Sequence, residues 1–435
     1  MKRQHRDKYP LVFFELEYTN LVVISQRSGD FFPRPTTLYT TAETAIRYFD
    51  DASQRRLSQI APQIIQSEIR SMSVECERVG GVNLAQGVCD TELPSLAAHG
   101  AIDAIHRGLN TYTRLDGVAP LREAIANKLA SFNGISANPN TEILVTAGAT
   151  GALYAASLAL LDPGDEVILF EPFYGYHWNT MLSLRVIPVA VPLCAPDWLL
   201  DVERLRQSIT PRTRAIIVNT PSNPCGKVFS LAELQAIAEL AIEHDLFVFT
   251  DEIYEHFLYD GRRHISMATL PEMFQRTITI SGLSKTFSMT GWRVGYLTAS
   301  SEWIPTIGYF HDLVYICAPG PLQYGAAAGV VGLPSTFYSE IAHQHQQKRD
   351  QLCAALSDAG LTPSIPDGAY YVLANASRIS GKTAPQKARA LLAATGVAAV
   401  AGSAFFTAGG EDLLRFCFGK RPEALDRACS ALRGL

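Results

Sequence analysis

The chain has 435 residues, 47% of them apolar and 18% charged, and a formal net charge of -5. That length holds two or three domains, and that balance suits a folded enzyme rather than a nucleic-acid or anionic-membrane binder. No apolar run reaches the ~18 residues that cross a bilayer. No His-Glu-x-x-His or Cys-x-x-Cys motif calls for a metal, and eight scattered cysteines fit a reducing, cytoplasmic setting.

Residues 1–50 mix basic residues, aromatics and a Pro/Thr-rich piece without sustained periodicity. An N-terminal extension and a start codon placed too early account for them equally well. Glu15 and Glu17 interrupt the apolar runs there and break a signal-peptide core. From Ala52 a helical pattern begins, with Leu57, Ile60, Ile64 and Ile65 near 3.6 spacing. The central region predicts strands over 143–145, 166–170, 215–218, 246–249, 277–280 and 294–297, and helices over 151–161 and 231–244. Short, nearly continuous apolar strands between helices predict an α/β fold with a mostly parallel sheet covered on both faces. After about Leu322 the pattern shifts to helices with strands at 370–373 and 413–417, a smaller α+β region.

Chemistry gathers just after the predicted strands, where open α/β sheets bind ligands. The segment Ser281-Gly-Leu-Ser-Lys285-Thr-Phe-Ser-Met-Thr-Gly-Trp-Arg293-Val-Gly-Tyr296 sets a lysine and an arginine eight positions apart across a small-residue turn. A lysine can form a Schiff base with an aldehyde and an arginine can clamp a phosphate. Those are the two handles of pyridoxal 5'-phosphate (PLP). Gly148-Ala149-Thr150-Gly151 follows a strand and opens a helix, a ready anion site. Asn219-Thr-Pro-Ser-Asn223-Pro-Cys-Gly226 is a turn, and Asp251-Glu-Ile-Tyr254 ends a strand. Alone, each has a plainer reading. Asp251 could cap a helix, Asn223 could serve only a turn, Arg415 could be a salt-bridge residue, and Tyr112 and Tyr174 could be packing aromatics.

In their order and spacing, these segments resemble the class I/II aminotransferases, fold-type-I PLP enzymes, over about residues 52–435. Among these, the pattern is closest to the kynurenine/glutamine and prokaryotic-type aspartate aminotransferases. The resemblance implies a large α/β domain with a seven-stranded, mainly parallel sheet and a smaller α+β domain. It places an extension at 1–50, the first part of the small domain at 51–95, the PLP domain at 96–321 and the rest of the small domain at 322–435.

It also implies roles. Lys285 carries PLP as a Schiff base and moves the substrate proton, Asp251 pairs with the pyridine nitrogen, and Tyr254 and Asn223 hold the phenolic oxygen. Tyr174 stacks on the ring, while Ala149, Thr150, Ser281 and Arg293 hold the phosphate. Arg415 and Gly87, in Asn83-Leu-Ala-Gln-Gly87, take the substrate carboxylate. Tyr112 reaches the phosphate of a neighbouring subunit, so a homodimer is expected. The implied reaction moves an amino group between an L-amino acid and a 2-oxo acid. A PLP lyase or β/γ-replacement enzyme, acting for instance on S-adenosylmethionine, would use the same groups. A PLP-binding regulatory domain fused to a DNA-binding helix-turn-helix is disfavoured, because residues 1–50 are too few and lack that pattern.

Two departures stand out. Cys89-Asp90-Thr91-Glu92 replaces the usual Pro-Asp-Phe-Pro, so Glu92 could face a cationic substrate, although a solvated loop charge is the favoured reading. Cys225 replaces a threonine as a tolerated small residue.

Overall fold

The computed structural model describes residues 57–64 and 68–435. The expected extension at 1–50 and the start of the helical pattern at Ala52 lie outside them. Seven strands form the main sheet: β1 (Ile143–Thr146), β2 (Glu166–Glu171), β3 (Ile187–Pro192), β4 (Thr213–Asn219), β5 (Phe247–Asp251), β6 (Thr277–Gly282) and β7 (Gly295–Thr298). Their spatial order is β1-β7-β6-β5-β4-β2-β3. Neighbours run parallel except β7, which is antiparallel to both β1 and β6.

The nearly unbroken apolar strands follow from burial on both faces. Val167 and Leu169 enter one core, with Leu144, Ile217, Phe249 and Ile278. Ile168 and Phe170, between and beyond them, enter the other, with Ile216, Val218 and Val248. Period-2 alternation thus survives as a choice between two cores rather than between core and water. Each such side chain is worth about 1.5–3 kcal/mol on full burial, so the sheet is a stiff base for groups carried at its ends.

Helix boundaries follow local chemistry. Ser230 and Glu233 close a capping box at the start of helix Leu231–Glu243, the Ser-x-x-Glu signature of a helix N-terminus. The other predicted helix begins earlier than its apolar pattern, at Gly148. The small residues read as a turn form its first helical turn. The strand β3 was not predicted, because Pro188 and Pro192 obscure it. It lies at the sheet edge, where a missing N–H leaves no ladder bond unmade.

Four further strands, β8 (Thr362–Ser364), β9 (Tyr371–Asn375), β10 (Val400–Ala401) and β11 (Leu413–Cys417), form an antiparallel sheet in the order β10-β11-β9-β8. Residues Val82–Asn83 pair in parallel with Val397–Ala398, and Cys417 N donates to Leu84 O at 2.8 Å. These bonds stitch the segment running to Gly87 against the strand that carries Arg415.

Candidate active site

The strands β1, β2, β4, β5 and β6 end at one edge of the main sheet, and β7 begins there because it is antiparallel. Gly295 sits opposite Thr146 on one side and Gly282 on the other. Arg293, two residues before β7, therefore emerges beside the start of helix Gly148–Leu160 and the Lys285 turn. A cavity of about 550 Å³ opens at this edge. It brings together every predicted site residue except Ser281 and Tyr112.

At one end the backbone makes an anion cradle. Gly148 is left-handed, at φ +77°, and a Cβ there would lie 2.5 Å from Arg293 Nη2. A Cβ on Gly295 would lie 2.5 Å from Ala149 N. Any side chain at either position would push apart the guanidinium, the strand and the helix N-terminus. Arg293 is itself left-handed, at φ +54°, and its Nη1 donates to Thr290 O at 3.0 Å. The free amides of the first helical turn together with a guanidinium fit a phosphate.

Ser281 does not join this cradle. Strand alternation turns it from the cavity, which Ile280 lines, and its Oγ donates to Glu255 Oε1 at 2.8 Å. Ser284, next to Lys285, lines the cavity in its stead.

In the middle of the cavity, β5 delivers Asp251. Its Oδ1 accepts from Ile253 N at 3.2 Å, and its Oδ2 lies 2.9 Å from His177 Nε2. His177 is buried and meets Tyr174 edge-on, with centroids 5.2 Å apart. Sequence reasoning missed it. The available signal was its position three residues after Tyr174, on the same face of helix Gly175–Ser183.

Asn219 Nδ2 donates to the Asp251 carbonyl at 3.0 Å, and Asn219 Oδ1 accepts from Asn223 N at 2.8 Å, tying the two loops together. Tyr254 shares a 2.8 Å hydroxyl contact with Tyr371, which was also not predicted. Burial pushes the Tyr254 phenol well above its usual range, so it stays neutral and able to donate. Lys285 Nζ donates to Gly87 O at 3.3 Å, and burial lowers its pKa. The shift favours the uncharged amine, the form that attacks an aldehyde.

At the far end Arg415 is 1% exposed. Its Nη1 donates to Asn223 Oδ1 at 2.9 Å and its Nη2 to Ala85 O at 2.6 Å. The guanidinium lies 4.5 Å from the Tyr371 ring and 5.0 Å from that of Phe405. Its Nε has no partner, and no carboxylate pairs with it among the described residues. An unpaired buried donor costs about 1–3 kcal/mol, so this arginine fits an incoming anion better than a salt-bridge role. A phosphate cradle, a carboxylate at a strand end, a buried amine and a waiting guanidinium in one cavity fit PLP with an amino acid beside it.

Tyr112 is 78% exposed and stands away from the cavity. Glu92 is exposed and does not line it, as expected of a solvated loop charge. Cys225 is buried, which raises its pKa, and it packs against Ser222 rather than acting as a nucleophile. No helix among the described residues is long and apolar enough to cross a membrane.

The model of a family described as aminotransferase class I and II matches residues 79–432. The chain is 38% identical over 374 residues to a probable N-succinyldiaminopimelate aminotransferase of Mycobacterium tuberculosis, covering 83% of this chain and 94% of that one. It is 35% identical over 378 residues to kynurenine–oxoglutarate transaminase 3 of Rattus norvegicus, covering 80% and 83%. The solved structure of the N-succinyldiaminopimelate aminotransferase from Mycobacterium tuberculosis superposes with a TM-score of 0.84 at 36% identity, over 87% of this chain and 99% of that one. The chain belongs to the class I and II aminotransferases, enzymes that depend on pyridoxal 5'-phosphate.

Proposed function

We propose that Lys285 is the lysine that holds PLP and that this cavity is where amino groups move between an L-amino acid and a 2-oxo acid. The observation that carries the reading is the meeting of Lys285, Asp251, Arg293 and Arg415 in one cavity. When bound, PLP supplies an electron sink for negative charge developing at the substrate Cα.

Asp251, braced by His177, keeps a proton on the ring nitrogen. Tyr254 and Asn223 hold the phenolic oxygen, and Tyr174 covers the ring face. The amides of Ala149 and Thr150, with Arg293, hold the phosphate, and Ser284 is the hydroxyl available to them in place of Ser281. Arg415 binds the α-carboxylate beside Gly87 and so orients the Cα–H bond toward Lys285. Set free when the substrate amine takes its place, Lys285 Nζ would then take the proton from Cα.

Tyr112 is assigned to the phosphate of a partner subunit in a homodimer. Its exposure supports this, as does the apolar surface of Tyr309, Leu313, Val314 and Tyr315 along helix Ile304–Tyr315. Eight free cysteines support a cytoplasmic setting. In domain terms, residues 96–321 make up the cofactor domain, and the described residues 68–95 of the expected 51–95 part join 322–435 in the smaller one.

The test is to add a panel of amino acids, including S-adenosylmethionine, to purified holoenzyme and follow cofactor absorption. A change reversed by a 2-oxo acid, with no group lost from the substrate side chain, is expected. Release of a leaving group with the cofactor unchanged would replace this reading with a lyase or replacement enzyme.

A further inference from the structure

Arg70 lines the same cavity and has no place in the chemistry just described. It lies on helix Glu68–Arg78, whose Ser73, three residues on and on the same face, also lines the cavity. Ser73 Oγ accepts from Asn83 Nδ2 at 3.0 Å. Asn83 opens the loop whose Gly87 carbonyl meets Lys285. The face bearing Arg70 is thereby tied to the loop that borders the reacting groups.

Arg70 is exposed and pairs with no carboxylate among the described residues. The cavity's other charged groups are Asp251, Lys285, Arg293 and Arg415. Among the described residues its one carboxylate, Asp251, is already engaged by His177. Glu92, the acidic group that could have received a cationic substrate, is outside the cavity. With Asp251, Lys285 and Arg293 given to PLP and Arg415 to the α-carboxylate, Arg70 is the cation left among the described residues of the cavity to meet a substrate side chain.

We infer that Arg70 binds the distal carboxylate of a dicarboxylic amino acid or 2-oxo acid, and so sets the substrate class of this site. The inference rests on the amino-transfer reading above. A guanidinium presents two parallel N–H groups to a carboxylate, and such charge-assisted pairs are stronger than neutral hydrogen bonds. A cationic side chain would meet repulsion at the same place, so the residue discriminates in both directions.

The experiment compares wild-type holoenzyme with Arg70→Ala and Arg70→Lys. Two readouts are taken: the ratio of kcat/KM for 2-oxoglutarate over pyruvate, and the dissociation constant of glutarate by calorimetry. In Arg70→Ala the ratio is expected to fall about 10- to 100-fold and glutarate to bind correspondingly weakly, with Arg70→Lys in between. Circular dichroism checks that the exposed substitution leaves the fold intact. An unchanged ratio and unchanged glutarate binding, in an enzyme that still transfers amino groups, would overturn the inference and leave the amino-transfer reading standing. A wild-type holoenzyme that transfers no amino group to either acceptor would overturn that reading, and the inference with it.

Discussion

Two polar clusters share the segment 251–255, and they differ in one respect. Asp251 and Tyr254 face the cavity, where Arg415 Nε has no partner. Glu252 and Glu255 face the protein interior, where every carboxylate oxygen has a donor. Glu252 accepts from Ser266 at 2.8 Å and lies 2.7 Å from His264 Nε2. Glu255 accepts from Ser281 and Asn133 at 2.8 Å each and lies 2.5 Å from Lys128 Nζ. The carboxylates and His264 converge closely enough to suggest a metal, but Lys128 already supplies the cation. Both clusters hold buried charge. Only the open one leaves hydrogen-bonding capacity for a ligand, and that sets a site apart from a structural network.

This contrast predicts that substitutions on the open side cost activity and those on the closed side cost stability. The largest effect belongs to Lys285→Ala, expected to lower amino transfer at least about 10⁴-fold with a melting temperature near wild type. Turnover together with a thermal melt checks it. Next, Glu255→Ala should cost about 3–5 kcal/mol of stability by stranding Lys128 in the interior. The cofactor absorption of the surviving folded protein should stay unchanged, and denaturant melts read the loss.

The same cluster has a pH signature. Burial raises the Glu255 carboxyl, but Lys128 and the nearby histidines outweigh that and hold it down at about 2, against an ordinary 4.5. A depressed carboxyl contributes stability above about pH 4.5 and loses it as pH falls toward 2. Burial also lowers His256 from 6.5 to about 3, so its neutral form is favoured and acid destabilises it in the same direction. Glu255→Gln should therefore flatten the loss of stability below pH 4.5, and chemical denaturation at several pH values checks this.

Asp251→Ala should lower turnover about 10²- to 10³-fold, with only a small change in stability, since its side chain lies at the cavity. An unchanged rate would remove the ring-nitrogen role. Smallest of all, Glu92→Gln should leave both the melt and the substrate profile within error, because surface changes usually stay within about 0.5 kcal/mol.

The sequence showed most of the site because its groups are written as short segments around strand ends. It was blind where the third dimension sets direction. Ser281 and Ser284 look alike in the chain, yet only strand geometry tells which hydroxyl reaches the cavity. His177 and Tyr371 gain meaning from partners 74 and 117 residues away. Arg70 looks like any solvated helix charge until its helix is placed against the cavity. The prolines of β3 hid a strand that only its edge position permits.

The local chemistry was therefore determined by the sequence alone: a lysine and an arginine in one turn, a carboxylate at a strand end, and small residues at a helix N-terminus. Spacing along the backbone is enough to specify these. The tertiary structure alone decided that β7 runs antiparallel, bringing Arg293 back to the edge where Lys285 leaves. It also decided that the Val82–Val397 pairing brings the segment before Gly87 to Arg415, whose Nη2 donates to Ala85 O. Both depend on hydrogen-bonded neighbours far apart in the chain, and strand direction and long-range pairing are settled by packing the whole core rather than by any local run of residues.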